Sequence, residues 1–322
     1  MTPFGFLGFG EVGACLSRAL AGTGAPVLAY DTALAHAGGK EELLGRASGA
    51  RIRFVSLEEL CEGARAILST VPAAAAVKAA RACARHLGDR HLYIDLNSTL
   101  PGTKREIAAI VEKTGASFAE ATILGAVEAN GPRVHILMGG PNADRAAALL
   151  RRHGLNATRF SGEIGKATTF KLLRNIFYKG AEAALIECLL AARRSGMEAE
   201  LWKDIVHTMD AHSFADTGSA WIRTHPSAHP RRAREMEQNA GMARDLGLDM
   251  TMSRAAGSLF RASAKAGLGR DFDALPRDMH AVLEALDRRL GRKGAMARKA
   301  GTKAQKKTPG SRGKPGNKKR KD

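Results

Sequence analysis

Only four cysteines, Cys15, Cys61, Cys83 and Cys188, occur in 322 residues. None stands at the spacing of a zinc site or a redox pair, so they read as reduced, partly buried thiols of a cytoplasmic protein. Aromatic residues are few as well, 5% of the chain, within a hydrophobic content of 44% that describes an ordinary globular composition. No apolar run approaches the ~18 residues needed to span a membrane. The opening residues, MTPFGFLGFG, lack a basic stretch and pass directly into an apolar strand, which argues against a signal peptide.

Acidic charge is also in short supply, and the formal net charge is +18. Its location matters more than its size. Between Arg292 and Asp322 there are thirteen Lys and Arg against one acid, so +12 of the total lies in that stretch. Rich in Gly, Pro and Lys and without an apolar face, residues 292–322 read as a disordered basic tail. Such a tail holds any polyanion loosely and in a salt-dependent way. It has no aromatic residue on which a base could stack, which argues against sequence-specific reading. The other residues carry only +6, an unremarkable balance.

What the chain does have is a glycine turn near its start. Phe4-Gly5-Phe6-Leu7 is an apolar run, and Gly8-Phe9-Gly10-Glu11-Val12-Gly13 follows it with the spacing G-x-G-x-x-G. Gly8 permits the tight turn, Gly10 lets the backbone approach a pyrophosphate, and Gly13 lets the next helix pack close to the strand. The start of that helix offers unpaired N–H groups to phosphate. A second strand, Pro26 to Tyr30, ends on Asp31. An acid at this distance holds the adenosine ribose hydroxyls and repels a 2′-phosphate, which favours NAD over NADP. Strands then alternate with helices up to a final helix, Asn142 to Arg152. This pattern predicts a Rossmann-type, doubly wound parallel sheet in an α/β domain over residues 1–163. The loops at Val71-Pro72, Asn97-Ser98-Thr99 and Ile123-Leu124-Gly125 should lie beyond the carboxyl ends of the strands, around the nicotinamide.

From Gly165 to Met197 apolar residues recur at the helical period, among them Phe170, Leu173, Ile176, Phe177, Ala181, Ala184, Leu185 and Leu189. This predicts one long interdomain helix over 164–196, its apolar face buried. Lys171, Arg174 and Asn175 share one side of it. Beyond it only helices are expected, giving an all-helical second domain over 164–291. The pair His225-x-x-x-His229 has a spacing that metals use, yet Pro226 and Pro230 flank it and no carboxylate stands at ligand spacing, so no metal is expected.

Four stretches, in order, resemble the β-hydroxyacid dehydrogenase family, which includes 3-hydroxyisobutyrate and 6-phosphogluconate dehydrogenases. They are the glycine turn, Val71-Pro72, Asp95-Leu96-Asn97-Ser98-Thr99-Leu100-Pro101, and Gly165 followed by Lys171 and Asn175. Residues 174–184 and RRAREMEQNAGMA from Arg231 resemble more closely a branch with a phosphogluconate-dehydrogenase-like C-terminal domain. The resemblance implies a catalytic lysine at Lys171 and a substrate-binding Asn at Asn175. It also implies a pocket lined by Ser98 and Gly125 with Arg174 beside it, and a dinucleotide held by Gly8 to Gly13, Asp31, Val71, Pro72 and Thr99. By the same analogy the protein is a homodimer acting on a small anionic hydroxyacid with NAD, NADP being the alternative cofactor.

The departures are equally specific. Leu124 replaces a serine of the family's substrate loop, Ala167 a glycine before the lysine, and Met236-Glu237 a Lys-Asp pair in the helical domain. One residue is added before Ser98-Thr99. The scaffold is retained while the substrate contacts are rewritten. A different class of reading is a dinucleotide-binding protein without turnover, whose working part is the basic tail.

Overall fold

A computed structural model describes residues 2–291. The basic stretch 292–322 lies outside the described residues. The chain divides into two compact units, one ending at Phe177 and the other beginning at Tyr178.

The first unit is built on eight strands: β1 (Phe4–Leu7), β2 (Val27–Tyr30), β3 (Ile52–Phe54), β4 (Ala66–Ser69), β5 (Leu92–Asp95), β6 (Ser117–Leu124), β7 (His135–Gly139) and β8 (Ala157–Ser161). They form a single sheet in the order β3-β2-β1-β4-β5-β6-β7-β8. The connections are α1 (Glu11–Gly22), α2 (Gly39–Ala47), α3 (Leu57–Gly63), α4 (Ala76–Cys83), α5 (Pro101–Glu112), the short α6 (Val127–Asn130) and α7 (Ala143–Arg152). The central strands read as continuous apolar runs because helices cover both faces. One core holds Phe4, Phe6, Leu16 and Leu20, and a second holds Ile67, Tyr93, Ile107 and Phe118.

Strand order reverses between β1 and β4. In such sheets the crevice at that reversal is the ligand site. The glycine turn follows β1 directly there, with the Thr70–Pro72 loop beside it.

Two expectations need correcting. The sheet is parallel except at the β6–β7 pair, beyond which β7 and β8, parallel to each other, run opposite to the first six strands. Only residues 125–134 separate these strands, too few for the dozen or more residues of a parallel crossover. Second, Ile123 and Leu124 belong to β6 rather than to a loop. After pairing Asp95 with Glu120, β6 continues alongside β7 and carries its end past that of β5. The parallel strand β8, with Arg159 and Phe160 exposed, has no apolar run long enough to announce it.

The long helix, α8, is continuous over Lys166–Arg194. Its apolar residues are not buried as the periodicity suggests: Leu173 is 61% and Ile176 73% exposed. In the second unit follow α9 (Glu198–Asp210), α10 (Phe214–Arg223), α11 (His225–Asp245), α12 (Thr251–Lys265) and α13 (Met279–Leu286). The carboxylate of Glu187 on α8 accepts the N–H groups of Met252 and Ser253, closing the start of α12. The helix α11 begins at His225, within the histidine pair's own segment. Pro226 falls in its first turn, where a missing N–H costs nothing. Large apolar side chains remain exposed here too, including Trp202, Trp221, Met242 and Leu259.

Candidate active site

The glycine turn shows three distinct reasons for glycine. Gly8 sits at φ +92°, and a Cβ on it would press against Thr70 O and Val71 Cγ1 at 2.9 Å. A Cβ on Gly13 would overlap Gly8 O and come within 2.8 Å of Thr70 Oγ1. Thr70 Oγ1 donates to Gly8 O at 2.7 Å, locking the β4 loop onto the turn. A Cβ on Gly10, by contrast, would meet nothing within 4 Å. That opening lies at the start of α1, whose first turn no side chain caps. Free N–H groups beside open space are what a pyrophosphate requires, so these residues fit a dinucleotide.

Asp31 stands at the end of β2 with both carboxylate oxygens engaged. Oδ2 accepts the N–H of Phe9 at 2.7 Å and Oδ1 that of Ala33 at 2.9 Å. The acid is thereby fixed to the turn, and each oxygen retains a second lone pair for a ligand hydroxyl.

A cavity of about 320 Å³ opens beside the turn. Glu11 and Val12 from α1, Leu96 and Ser98 from the loop after β5, Ile123 and Gly125 from β6 and its end, and Lys171 from α8 are among its lining residues. Lys171 Nζ donates to Ser98 Oγ at 3.0 Å. Burial is the larger cause holding the Lys171 pKa below the ordinary lysine value, and the like charge of Lys104 is the second.

Thus Lys171, Ser98, Gly125, Glu11 and Val12 are brought together. Arg174 and Asn175, one turn further along α8, are half-buried and outside this lining. Thr99 is turned inward, its hydroxyl buried with no hydrogen-bond partner among the described residues. The extra residue before the Ser-Thr pair explains this. Asn97 faces the core, donating from Nδ2 to Ser69 Oγ at 2.9 Å, and Ser98 is left on the cavity side. Val71 packs against Gly8, and Pro72 is exposed just beyond it.

Sequence reasoning passed over three residues. Glu120, wholly buried in β6, accepts the N–H groups of Gly165 and Thr168 and so caps α8. Asp95 and Lys104 are both 0% exposed and form an ion pair at 3.1 Å. A readable signal existed for Lys104. It shares the apolar stripe of α5 with Ile107, Ala108 and Val111, at helical steps.

The histidine pair in the second unit is accounted for structurally. His225 Nε2 meets Ser263 Oγ at 2.9 Å and His229 Nδ1 meets His225 O at 2.9 Å. Among the described residues no group of three or more His, Cys, Asp or Glu could hold a metal. No described helix is long and apolar enough to cross a membrane.

Comparison with known proteins bears on the fold and on the nucleotide-binding half of the chain. The family profile of the NAD binding domain of 6-phosphogluconate dehydrogenase matches residues 3–160. Glyoxylate/succinic semialdehyde reductase 2 of Arabidopsis thaliana, a chloroplastic protein, is 23% identical over 298 residues, covering 88% of this chain and 79% of its own. Mitochondrial 3-hydroxyisobutyrate dehydrogenase of Mus musculus is 27% identical over 213 residues, covering 64% of this chain and 62% of its own. An imine reductase of Streptomyces aurantiacus shares the fold with a TM-score of 0.69 at 16% identity, over 88% of this chain and 99% of its own. Residues 3–160 thus match the NAD binding domain of 6-phosphogluconate dehydrogenase, and the chain's relatives include 3-hydroxyisobutyrate dehydrogenases and a glyoxylate/succinic semialdehyde reductase.

Proposed function

We propose that this protein oxidises the hydroxyl group of a small anionic hydroxyacid with NAD, Lys171 serving as general acid and base. One observation carries the reading: the Lys171 amine reaches Ser98 Oγ at 3.0 Å inside a cavity that residues of the glycine turn also line.

Gly8 to Gly13, the first turn of α1 and Asp31 would hold the dinucleotide, with Val71, Pro72 and the backbone at Thr99 bordering its nicotinamide end. Bound there, the cofactor supplies hydride acceptance and donation. The chain's own residues do the rest. Lys171, as free amine, removes the hydroxyl proton of the substrate, and as ammonium returns it in the reverse direction. A lowered pKa keeps a larger share of the amine in the basic form at neutral pH. Ser98 orients that amine through its hydroxyl. Asn175, four residues on along the same helix side, positions the substrate, with Arg174 beside it and the Gly125 backbone lining the pocket. Leu124, where the family carries serine, points to a substrate other than the family's usual small hydroxyacid.

NAD is the preferred cofactor, a reading supported by the fixed carboxylate of Asp31. The working form is a homodimer located in the cytosol, the domain boundary falling near residue 163. In support of the dimer, Leu173, Ile176, Trp202, Trp221 and Leu259 stand exposed on a single chain, and apolar area on that scale is seldom left in water. The four thiols are unpaired, in keeping with a reducing compartment.

The test is a screen of hydroxyacids, hydroxyamino acids and phosphorylated sugar acids, with NAD and with NADP, following absorbance of the reduced cofactor. Turnover of one class with NAD is expected. Tight dinucleotide binding without turnover of any class would replace the dehydrogenase reading with that of a binding protein.

A further inference from the structure

We propose that Lys104 is a positioning residue of this site: clamped to Asp95 in the core, it holds the turn that presents Ser98 and places a fixed positive charge behind Lys171. The proposal rests on reading Lys171 as the general base.

Lysine is almost never fully buried unless paired, and Lys104 is buried completely. Its ammonium donates to Asp95 O at 2.8 Å and to Ala121 O at 3.3 Å, and lies 3.1 Å from Asp95 Oδ2. Cohesion of the core does not explain such an arrangement. A buried ion pair is commonly no more stabilising than well-packed apolar residues of the same volume. Its placement offers a better reason. Asp95 is the last residue of β5, and Ala121 belongs to β6, so one ammonium ties together the two strands whose ends carry Ser98 and Gly125.

From Asp95 the bonding continues into the cavity. Oδ1 accepts the N–H of Asn97 at 3.1 Å, and Asn97 Nδ2 donates to Ser69 Oγ at 2.9 Å. The next residue, Ser98, accepts from Lys171 Nζ at 3.0 Å. The turn that sets the Lys171 amine is therefore held from behind by Lys104.

Charge acts along the same route. Glu11 and Glu128 share the cavity lining with Lys171, and Arg174 follows it on α8. Both glutamates are exposed, so water and salt screen them. Lys104 is completely buried, and its charge is screened far less. It is the like charge named above as the second cause, after burial, of the depressed Lys171 pKa.

Competitive labelling tests this without requiring turnover. The full-length chain is treated with trace acetic anhydride across a pH series, and acetylation of Lys171 is followed by mass spectrometry. In the wild type the midpoint should lie below that of an ordinary lysine, ~10.4. In Lys104→Met it should rise, with about tenfold less free amine at a fixed pH below the midpoint. The pH profile of kcat/KM should move with it, while the KM for the dinucleotide stays unchanged. Lys104→Met strands the Asp95 carboxylate, so Lys104→Met/Asp95→Asn serves as a second variant that removes both charges, with a smaller upward shift expected. A merely structural role would lower the melting temperature and leave the midpoint where it was. An unchanged midpoint in a folded variant, or a wild-type midpoint at the ordinary lysine value, overturns the proposal. A shifted midpoint in a protein that turns over no hydroxyacid would instead retain Lys104 and remove the dehydrogenase reading.

Discussion

Glu120 accepts the backbone N–H of Thr168 at 2.7 Å across 48 positions of sequence. Its other oxygen accepts the N–H of Gly165. A carboxylate from the sheet thus caps the helix that bears Lys171, where helix dipole and unpaired N–H groups both favour negative charge. The angle at which α8 leaves the sheet is fixed three residues before the lysine.

Glu120→Ala should therefore loosen that end of α8 and lower stability. Losing hydrogen bonds to a buried charge costs about 1.5–3 kcal/mol. Glu120→Gln, which keeps an acceptor, should lose less. Urea unfolding of both variants decides this, and equal stability of Glu120→Ala and wild type would contradict the capping role.

The glycines of the turn separate packing from ligand contact. Gly13→Ala places a methyl against Gly8 O and Thr70 Oγ1 and should destabilise the fold by about 1–3 kcal/mol, the usual cost of overpacking. Gly10→Ala places its methyl more than 4 Å from every described residue other than its chain neighbours. It should melt as the wild type does while binding NADH more weakly, as cofactor fluorescence would report. Were Gly10→Ala to bind NADH normally, the pyrophosphate would lie elsewhere.

Lys171→Ala should leave NADH affinity nearly unchanged and reduce turnover by about 10²–10⁴-fold, the range of general acid–base catalysis. The wild-type profile carries a further sign. Because the working base is the free amine, oxidation should rise with pH through a midpoint below the ordinary lysine value. Reduction, which uses the ammonium, should fall over the same range. Stopped-flow rates in both directions provide the check.

Asp31→Asn keeps the size of the side chain and removes its charge. With two backbone N–H groups to satisfy, the amide cannot reproduce both bonds. Affinity for NAD should drop by about tenfold to a hundredfold, the equivalent of one or two charge-assisted hydrogen bonds. NADP should lose less, so the ratio of the two dissociation constants is the quantity to measure.

In the second unit His225 sets an acid limit. Burial first, then the charges of His229 and Arg232, lower its pKa from 6.5 to about 4. The unfolded imidazole takes up a proton near 6.5, so this contribution to stability is complete above that pH. It is lost progressively as pH falls from 6.5 to about 4. Thermal melts of His225→Gln should depend less on pH across this window than those of the wild type.

Much of the architecture was legible because it rests on local rules. The G-x-G-x-x-G turn, the acid at Asp31 and the alternation of apolar strands with helices follow from backbone sterics and periodicity, which neighbouring residues alone decide. Lys171 shares one helix side with Arg174 and Asn175, and its catalytic role came from the resemblance to the dehydrogenase family. Three other features depended on which strands lie side by side: the reversal of β7, the inward turn of Asn97 that leaves Ser98 facing the cavity, and the Asp95–Lys104 pair. Asn97 and Ser69 stand 28 residues apart, and although Lys104 follows Asp95 by only nine residues, which groups meet is settled by packing between elements rather than by spacing within one. Sequence alone thus determined that this chain folds to bind a dinucleotide and carries a lysine on the following long helix. Only the tertiary structure decided what stands behind that lysine, because the charge on a buried amine is set by neighbours brought to it through folding.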